Sequence, residues 1–238
     1  MNRKYFVPDL SDKRIVFADK YLTDIGHQKV SNADRADFIL LGVNPKSEFL
    51  NYNKLIFAGN IQKDNIIDYT KEEAFKLKNA FLTAEGALSI AITENTESLF
   101  NKKILITGYG RIAKALHGLL LPFTKDITVC ARKELSRLNA ELYGTKAMDF
   151  SNMNNLQYDY IFNTVPHPVF DEASLLTMNK NTIIIELASL PGGVDCHLAS
   201  LKGIKVIEAR GLPSKYSPKS AGIVVGETVD KLIKEVLT

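Results

Sequence analysis

The stretch KKILITGYGRIAKALHGLLLPFTKDITVCARK, residues Lys102–Lys133, decides the fold of the chain. An apolar run is followed by the turn Gly108-Tyr109-Gly110-Arg111-Ile112-Ala113 and then by a second apolar run, Asp126–Ala131. This order predicts a strand, a helix and a parallel second strand, with a G-x-G-x-x-A turn opening the helix. Because the first N–H groups of such a helix are exposed, the turn is typical of a site for a dinucleotide pyrophosphate. The alternative is an ordinary strand-to-helix turn that holds no ligand.

The end of the second predicted strand favours one dinucleotide over another. An acidic residue about 20 positions after the glycines would bind the adenosine ribose of NAD. This chain has Ala131-Arg132-Lys133 there instead. A guanidinium group suits a 2′-phosphate, so the sequence favours NADP, with NAD possible. The alternative is that Arg132 is a solvated residue at the start of the next helix.

Composition bounds the class of protein. The chain has 238 residues, of which 45% are hydrophobic and 24% charged, as in an ordinary soluble globular protein. The net charge of +3 is too small to indicate binding to nucleic acid or to a membrane surface. Cys130 and Cys196 have neither metal-ligand spacing nor a disulfide framework, so no metal is expected. Without a signal peptide or a spanning segment in the sequence, we expect a cytoplasmic protein.

Strands and helices alternate from Lys102 onward, which predicts an α/β fold with a doubly wound parallel sheet of the Rossmann type. We expect a smaller N-terminal α/β domain on the substrate side over residues 1–96, and an NAD(P)-binding domain with the C-terminal helix over residues 97–238. The predicted strands of the second domain are Lys103–Thr107, Asp126–Ala131, Lys146–Phe150, Tyr158–Asn163, Thr182–Leu187 and Gly203–Glu208. Those of the first are Arg14–Ala18, Asp37–Leu41 and Lys54–Ala58, with helices beginning near Glu72 and Thr83.

Polar loops follow two of the later strands. Asn163-Thr164-Val165-Pro166-His167-Pro168 would face the nicotinamide half of a bound cofactor, and His167 could move a proton there unless it is an ordinary surface residue. Ala188-Ser189-Leu190-Pro191-Gly192-Gly193-Val194-Asp195 contains two glycines that allow close backbone approach. The alternative for this second loop is a tight turn in which Asp195 caps the next helix.

Two helix starts supply further candidates for a substrate site. Lys219 and Ser220 open the last predicted helix, where exposed N–H groups attract anions such as a dicarboxylate. The alternative is that a serine only caps this helix and that Lys219 points to water. Thr83 and Glu85 would open an earlier helix directed at the substrate, or form a plain N-cap and first turn.

Taken together, these motifs resemble the family of dipicolinate synthase A subunits. The similarity extends from about Lys54 to the C-terminus, and the Pro-Gly-Gly and Gly-Leu-Pro segments are more specific than the glycine turn. The N-terminal part is shorter than in the family, and His167 replaces a small residue. The matching segments are Thr83–Gly86, Gly108–Arg111, Ala131-Arg132, Asn163–Pro166, Leu187–Asp195, Gly211–Pro213 and Pro218–Gly222.

The resemblance implies an NADP-linked enzyme that oxidises dihydrodipicolinate to dipicolinate in endospore formation, together with a flavoprotein-like B subunit. It implies cofactor contacts from Gly108, Tyr109, Gly110, Arg111, Ile112, Arg132, Lys133, Asn163, Thr164, Val165, Pro166, Ala188 and Ser189. Substrate contacts are expected from Thr83, Glu85, Pro191, Gly192, Gly193, Lys219 and Ser220, with Glu85, His167 and Lys219 as catalytic candidates. Self-association to a homo-oligomer is possible. Two alternatives remain: a dehydrogenase of the same fold for another small carboxylate, and a non-catalytic nucleotide-binding or scaffold subunit.

Overall fold

The computed structural model describes residues 2–237, which form two compact units. The first unit contains the chain up to Leu82 and again from Pro213 onward. The second unit runs from Thr83 to Leu212. Within the described residues, no helix is both long and apolar enough to cross a membrane.

The first unit is built on a parallel five-stranded sheet. Its strands are β1 (Lys4–Phe6), β2 (Gln28–Lys29), β3 (Phe38–Val43), β4 (Leu55–Gly59) and β5 (Ile66–Asp68), in the order β2-β1-β3-β4-β5. Helix α1 (Lys13–Asp24) follows β1, and helix α2 (Glu73–Thr93) continues from this unit into the second.

The second unit is a doubly wound parallel sheet of six strands in the order β11-β10-β9-β6-β7-β8. Ile104 and Ile106 of β6 face one apolar core and Leu105 faces the other, so helices cover both faces of the sheet. The strands are β6 (Ile104–Thr107), β7 (Ile127–Cys130), β8 (Lys146–Met148), β9 (Tyr160–Asn163), β10 (Ile183–Glu186) and β11 (Lys205–Glu208). The helices are α3 (Arg111–Leu120), α4 (Glu134–Glu141), α5 (Glu172–Thr177) and α6 (Cys196–Leu201); α7 (Leu212–Tyr216) and α8 (Pro218–Val236) follow.

All six strands predicted for this sheet are present, and the predicted fold class is confirmed. Two predictions for the N-terminal region are wrong. Arg14–Ala18 belongs to helix α1, because Ile15, Ala18 and Leu22 recur every three or four residues and Asp12 caps the helix by accepting from the Arg14 N–H. Thr83 does not begin a helix, because α2 is continuous from Glu73 to Thr93.

The C-terminal helix α8 belongs to the first unit and not to the unit of the six-stranded sheet, and the first unit is interrupted after Leu82. Close packing against α1 explains the position of α8. A Cβ atom at Gly222 would collide with the Arg14 carbonyl and lie 2.5 Å from Phe17 Cβ. At Gly226 it would lie 2.5 Å from the Tyr21 ring. These glycines let the two helix backbones approach, so part of the Pro-Lys-Ser-Ala-Gly motif is required for packing.

The substitution Gly222→Ala tests this packing. We expect it to lower the free energy of unfolding by about 1–3 kcal/mol, because the added methyl group has no space against α1. Gly118→Ala is the matched control, since Gly118 is exposed on α3 and no atom lies within 4 Å of the added Cβ. This control should stabilise the protein by about 0.5–1 kcal/mol. Urea unfolding followed by circular dichroism measures both, and equal effects would contradict the packing argument.

Candidate dinucleotide and substrate site

The two glycines of the turn after β6 differ in their surroundings. Gly108 has φ +84°, and a Cβ there would lie 2.5 Å from Thr164 Oγ1, so the turn itself requires glycine. Gly110 has φ −82° and no atom within 4 Å of an added Cβ, so the space above it is open. It is the N-cap of α3 and provides no side-chain cap. The first N–H groups of α3 therefore face this open space, as an anion site requires.

The carboxyl end of β7 presents two cationic side chains. Arg132 and Lys133 are exposed, and neither side chain takes part in an ion pair within residues 2–237. The backbone beneath them is fixed by Arg137, whose Nη1 donates to the carbonyls of Ala131 and Arg132 at 2.8 Å each. The same nitrogen reaches Asp149 Oδ2 at 2.9 Å. Sequence reasoning missed Arg137, because nothing in its spacing distinguishes it from a solvated helix residue.

Tyr109 turns away from the open side of the glycine turn. Its ring is 8% exposed, and its hydroxyl lies 2.8 Å from Nδ1 of His117 on α3. Nε2 of His117 lies 2.6 Å from Thr145 Oγ1, so three buried polar groups form a chain. Burial lowers the pKa of His117. The Tyr109 side chain therefore anchors the turn, and contact between Tyr109 and a cofactor stays a prediction.

Asn163 and Glu186 form a buried centre at the ends of β9 and β10, and both are 0% exposed. Asn163 Oδ1 accepts from Thr107 Oγ1 at 2.6 Å and from the Val165 N–H at 3.2 Å. Asn163 Nδ2 donates to the Val165 carbonyl at 3.0 Å and to both Glu186 oxygens at 2.8 and 2.9 Å. Every polar atom of this side chain is engaged within the protein, and contact between Asn163 and a cofactor stays a prediction. The missed residue is Glu186, the one charged residue in the apolar run of β10.

The Pro-Gly-Gly loop folds around this centre. The Ala188 N–H donates to Glu186 Oε1 at 2.9 Å, and the Gly193 N–H donates to Oε2 at 3.0 Å. A Cβ at Gly193 would overlap Asn163 Nδ2, and Gly192 adopts φ +86° beside the Arg210 guanidinium. The two glycines are therefore required by internal packing, and the Gly193 N–H is not available to a substrate. Ser189 and Pro191 are exposed on the outer side of the loop.

Some of the remaining loop residues make internal hydrogen bonds, and others are exposed. Thr164 Oγ1 donates to the Thr107 carbonyl at 2.7 Å, so its hydroxyl serves the turn. Pro166 and His167 are exposed directly after β9. Asp195 caps α6 by accepting from the Leu198 N–H at 2.9 Å, as the structural alternative for this loop predicts.

The substrate-side candidates are not brought together in one unit. Thr83 is buried within α2, whereas Glu85 is exposed on the same helix. Glu85 lines an open depression of about 330 Å³ with Leu119, which lies about 12 Å along α3 from Arg111. Lys219 and Ser220 are exposed at the start of α8 and belong to the first unit. The N-cap residue of that helix, Ser217, provides no side-chain hydrogen bond.

Comparison with known proteins confirms the resemblance predicted from the motifs. No protein-family model matches the chain. The A subunit of dipicolinate synthase from Bacillus subtilis (strain 168) is 28% identical over 194 residues, covering 76% of this chain and 65% of that protein. The chain thus spans just under two thirds of the length of this curated relative.

Solved structures show the same fold. The dipicolinate synthase A chain from Bacillus subtilis superposes with a TM-score of 0.85 at 20% identity, covering 100% of this chain and 97% of that one. Transhydrogenase from Sinorhizobium meliloti superposes with a TM-score of 0.75 at 12% identity, covering 98% and 93%. Further dehydrogenases share the fold. The chain therefore shares the fold of these proteins.

The buried imidazole of His117 makes a prediction about pH. Burial lowers the pKa of His117 in the folded state. As the pH falls below about 6.5, the imidazole therefore becomes protonated in the unfolded chain before it does in the folded one. The stability that depends on neutral His117 is complete above that pH and is lost as the pH falls towards the folded-state pKa. In His117→Gln, which keeps one acceptor and one donor, this loss is absent. We therefore expect the advantage of the wild type over H117Q to shrink between pH 7.5 and pH 5.

Unfolding free energies measured by urea titration at each pH test this prediction. The matched control is H197Q, which replaces an exposed histidine in the same way. A difference between wild type and H117Q that does not change with pH would show that burial of His117 has no titration consequence.

Proposed function

We propose that the chain is an NADP-dependent oxidoreductase of the dipicolinate synthase type, equivalent to the A subunit of that enzyme, and that it oxidises dihydrodipicolinate to dipicolinate. The observation that carries this proposal is the open, uncapped start of α3 above Gly110, with free Arg132 and Lys133 at the end of the neighbouring strand. A pyrophosphate suits the first position and a 2′-phosphate suits the second. The sequence relative and the fold support the same proposal.

The reaction needs few groups from the protein. When bound, NADP⁺ would accept a hydride from a ring carbon of the substrate, and a base must take up the accompanying proton. Aromatisation of the ring drives the step, so the protein mainly has to orient the reactants and exclude competing positions.

His167 is our candidate for the proton acceptor. It lies in the loop that follows β9, four residues after Asn163, and is exposed, so its imidazole is accessible to a substrate beside that strand end. Glu85 is a weaker candidate, because it lies within α2 on a depression shared with the last turn of α3. The first N–H groups of α3 are at the other end of that helix.

Lys219 and the Ser220 N–H are our candidates for binding a substrate carboxylate. They open a helix of 19 residues whose N-cap side chain makes no hydrogen bond, so exposed N–H groups and the positive end of the helix dipole coincide with an ammonium group. Ser189 and Pro191 remain candidates on the exposed side of their loop. We further propose that a flavoprotein-like B subunit is the partner of this chain, that the chain self-associates, and that it acts in endospore formation in the cytoplasm.

The choice between NADP and NAD is tested by Arg132→Ala. Loss of the charge-assisted bonds to a 2′-phosphate should raise the Kd for NADP by roughly 10- to 100-fold and leave the Kd for NAD unchanged. Lys125→Ala is the matched control, because Lys125 is exposed at the opposite end of the same strand. Isothermal titration calorimetry measures the Kd values of both nucleotides for the wild type and for the two variants. Equal losses for both nucleotides, or none, would show that Arg132 does not read the 2′-phosphate.

The activity itself is tested by following NADPH absorbance after the chain is mixed with NADP⁺ and dihydrodipicolinate, in the presence and in the absence of a B subunit. We expect NADPH to form, and Gly110→Ala to lower kcat/KM at least about tenfold, because its methyl group enters the open space above the helix start. Gly118→Ala, on the exposed side of the same helix, should retain wild-type activity. NADP binding without turnover would favour a scaffold role, and turnover of a different carboxylate would correct the substrate.

A further inference from the structure

Glu186 is a buried carboxylate whose hydrogen-bond partners are all neutral. Its oxygens accept from Asn163 Nδ2 at 2.8 and 2.9 Å, from the Ala188 N–H at 2.9 Å and from the Gly193 N–H at 3.0 Å. All of these groups are donors, which is the environment of an ionised carboxylate and not of a protonated one. The hydrogen bonds hold the charge in place but do not cancel it.

No cation compensates this charge at close range. None of the ion pairs formed by residues 2–237 includes Glu186. The nearest guanidinium is that of Arg210, on the other side of Gly192. A Cβ atom added at Gly192 would lie 3.1 Å from Arg210 Nη2 and 3.5 Å from Glu186 Oε2. Arg210 is itself paired with Glu208 through Nη1 and donates to the Ala188 carbonyl through Nε at 3.0 Å. The three side chains therefore leave one net negative charge.

Glu186 lies at the carboxyl end of the sheet, where ligands of this fold bind. The glycine turn follows β6, and the sheet continues from β6 to β7 and β8 on one side and to β9 and β10 on the other. In a doubly wound sheet the ligand crosses the carboxyl ends of the strands at the point where the strand order reverses. If the adenosine half lies over β7, the nicotinamide half would lie over β9 and β10. Glu186 is the last residue of β10.

We propose that Glu186 sets the preference of the site between the oxidised and the reduced dinucleotide. This inference rests on the proposed function, because it requires a nicotinamide at this end of the sheet. The nicotinamide ring carries one positive charge when oxidised and none when reduced. A fixed negative charge within roughly 10 Å, in surroundings of low dielectric constant, attracts the oxidised ring and leaves the neutral ring almost unaffected. The oxidised form is the one that the proposed reaction consumes.

The experiment compares the Kd values of NADP⁺ and NADPH for the wild type, E186Q and E186D. E186Q removes the charge and also replaces one acceptor by a donor, so loosening of the loop weakens both forms. The lost attraction weakens NADP⁺ in addition, and we expect the ratio Kd(NADP⁺)/Kd(NADPH) to rise about tenfold. E186D keeps the charge but shortens the side chain. It should therefore weaken both forms together and leave the ratio within about twofold of the wild type.

Glu141→Gln is the matched control, because Glu141 is exposed on α4 and removal of its charge should leave the ratio unchanged. The inference would be overturned if Kd(NADP⁺)/Kd(NADPH) were the same in the wild type and E186Q. It would also be overturned if E186Q and E186D changed this ratio equally. If E186Q fails to fold, the wild type still decides, since tenfold tighter binding of NADPH than of NADP⁺ would contradict an attractive charge at the ring. Absence of any NADP binding by the wild type would instead remove the proposed function.

Discussion

One set of hydrogen bonds joins three adjacent strand ends, and the loops of the candidate site depend on it. Thr107, Asn163 and Glu186 end β6, β9 and β10, and their side chains are linked in that order. Glu186 then holds the backbone at both ends of the following loop, through Ala188 and Gly193. Because each buried polar atom in this set has a partner, moving one loop would leave a donor or acceptor unpaired in another. These buried hydrogen bonds therefore hold the loops in one arrangement.

The glycines around this centre show how a motif combines structural and functional demands. Gly108 and Gly193 have neighbours where a Cβ would stand, Thr164 in one case and Asn163 in the other, so the fold alone requires them. Gly110 has no such neighbour and an ordinary negative φ, so nothing inside the protein forbids a side chain there. A glycine that the fold does not need, at a helix start without a side-chain cap, is the feature on which the proposed pyrophosphate site rests. The structure separates these cases, whereas the letters G-x-G do not.

The sequence was sufficient for the second sheet and insufficient for the site. Strands such as Ile104–Thr107 and Ile183–Glu186 are buried on both faces, so they read as unbroken apolar runs between turns. The run Arg14–Ala18 is too short to distinguish period two from period 3.6, and it proved to be helical. The partners of Asn163 and the role of α8 depend on contacts between distant residues, which local pattern does not contain. The one available signal was Glu186, a charge inside a strand of isoleucines.

The burial of Glu186 has a cost in the free energy of folding. Burying an ionised carboxylate among neutral donors is expensive, and hydrogen bonds from amides offset the loss of hydration only in part. A neutral acceptor could tie Asn163 to the Gly193 N–H at lower cost, since the geometry needs lone pairs and not a charge. Arg210 has the nearest guanidinium group, but it forms an ion pair with Glu208 and not with Glu186. The hydrogen bonds alone therefore do not account for a negative charge at this position. The electrostatic attraction of that charge for a cation bound over the end of β10 does.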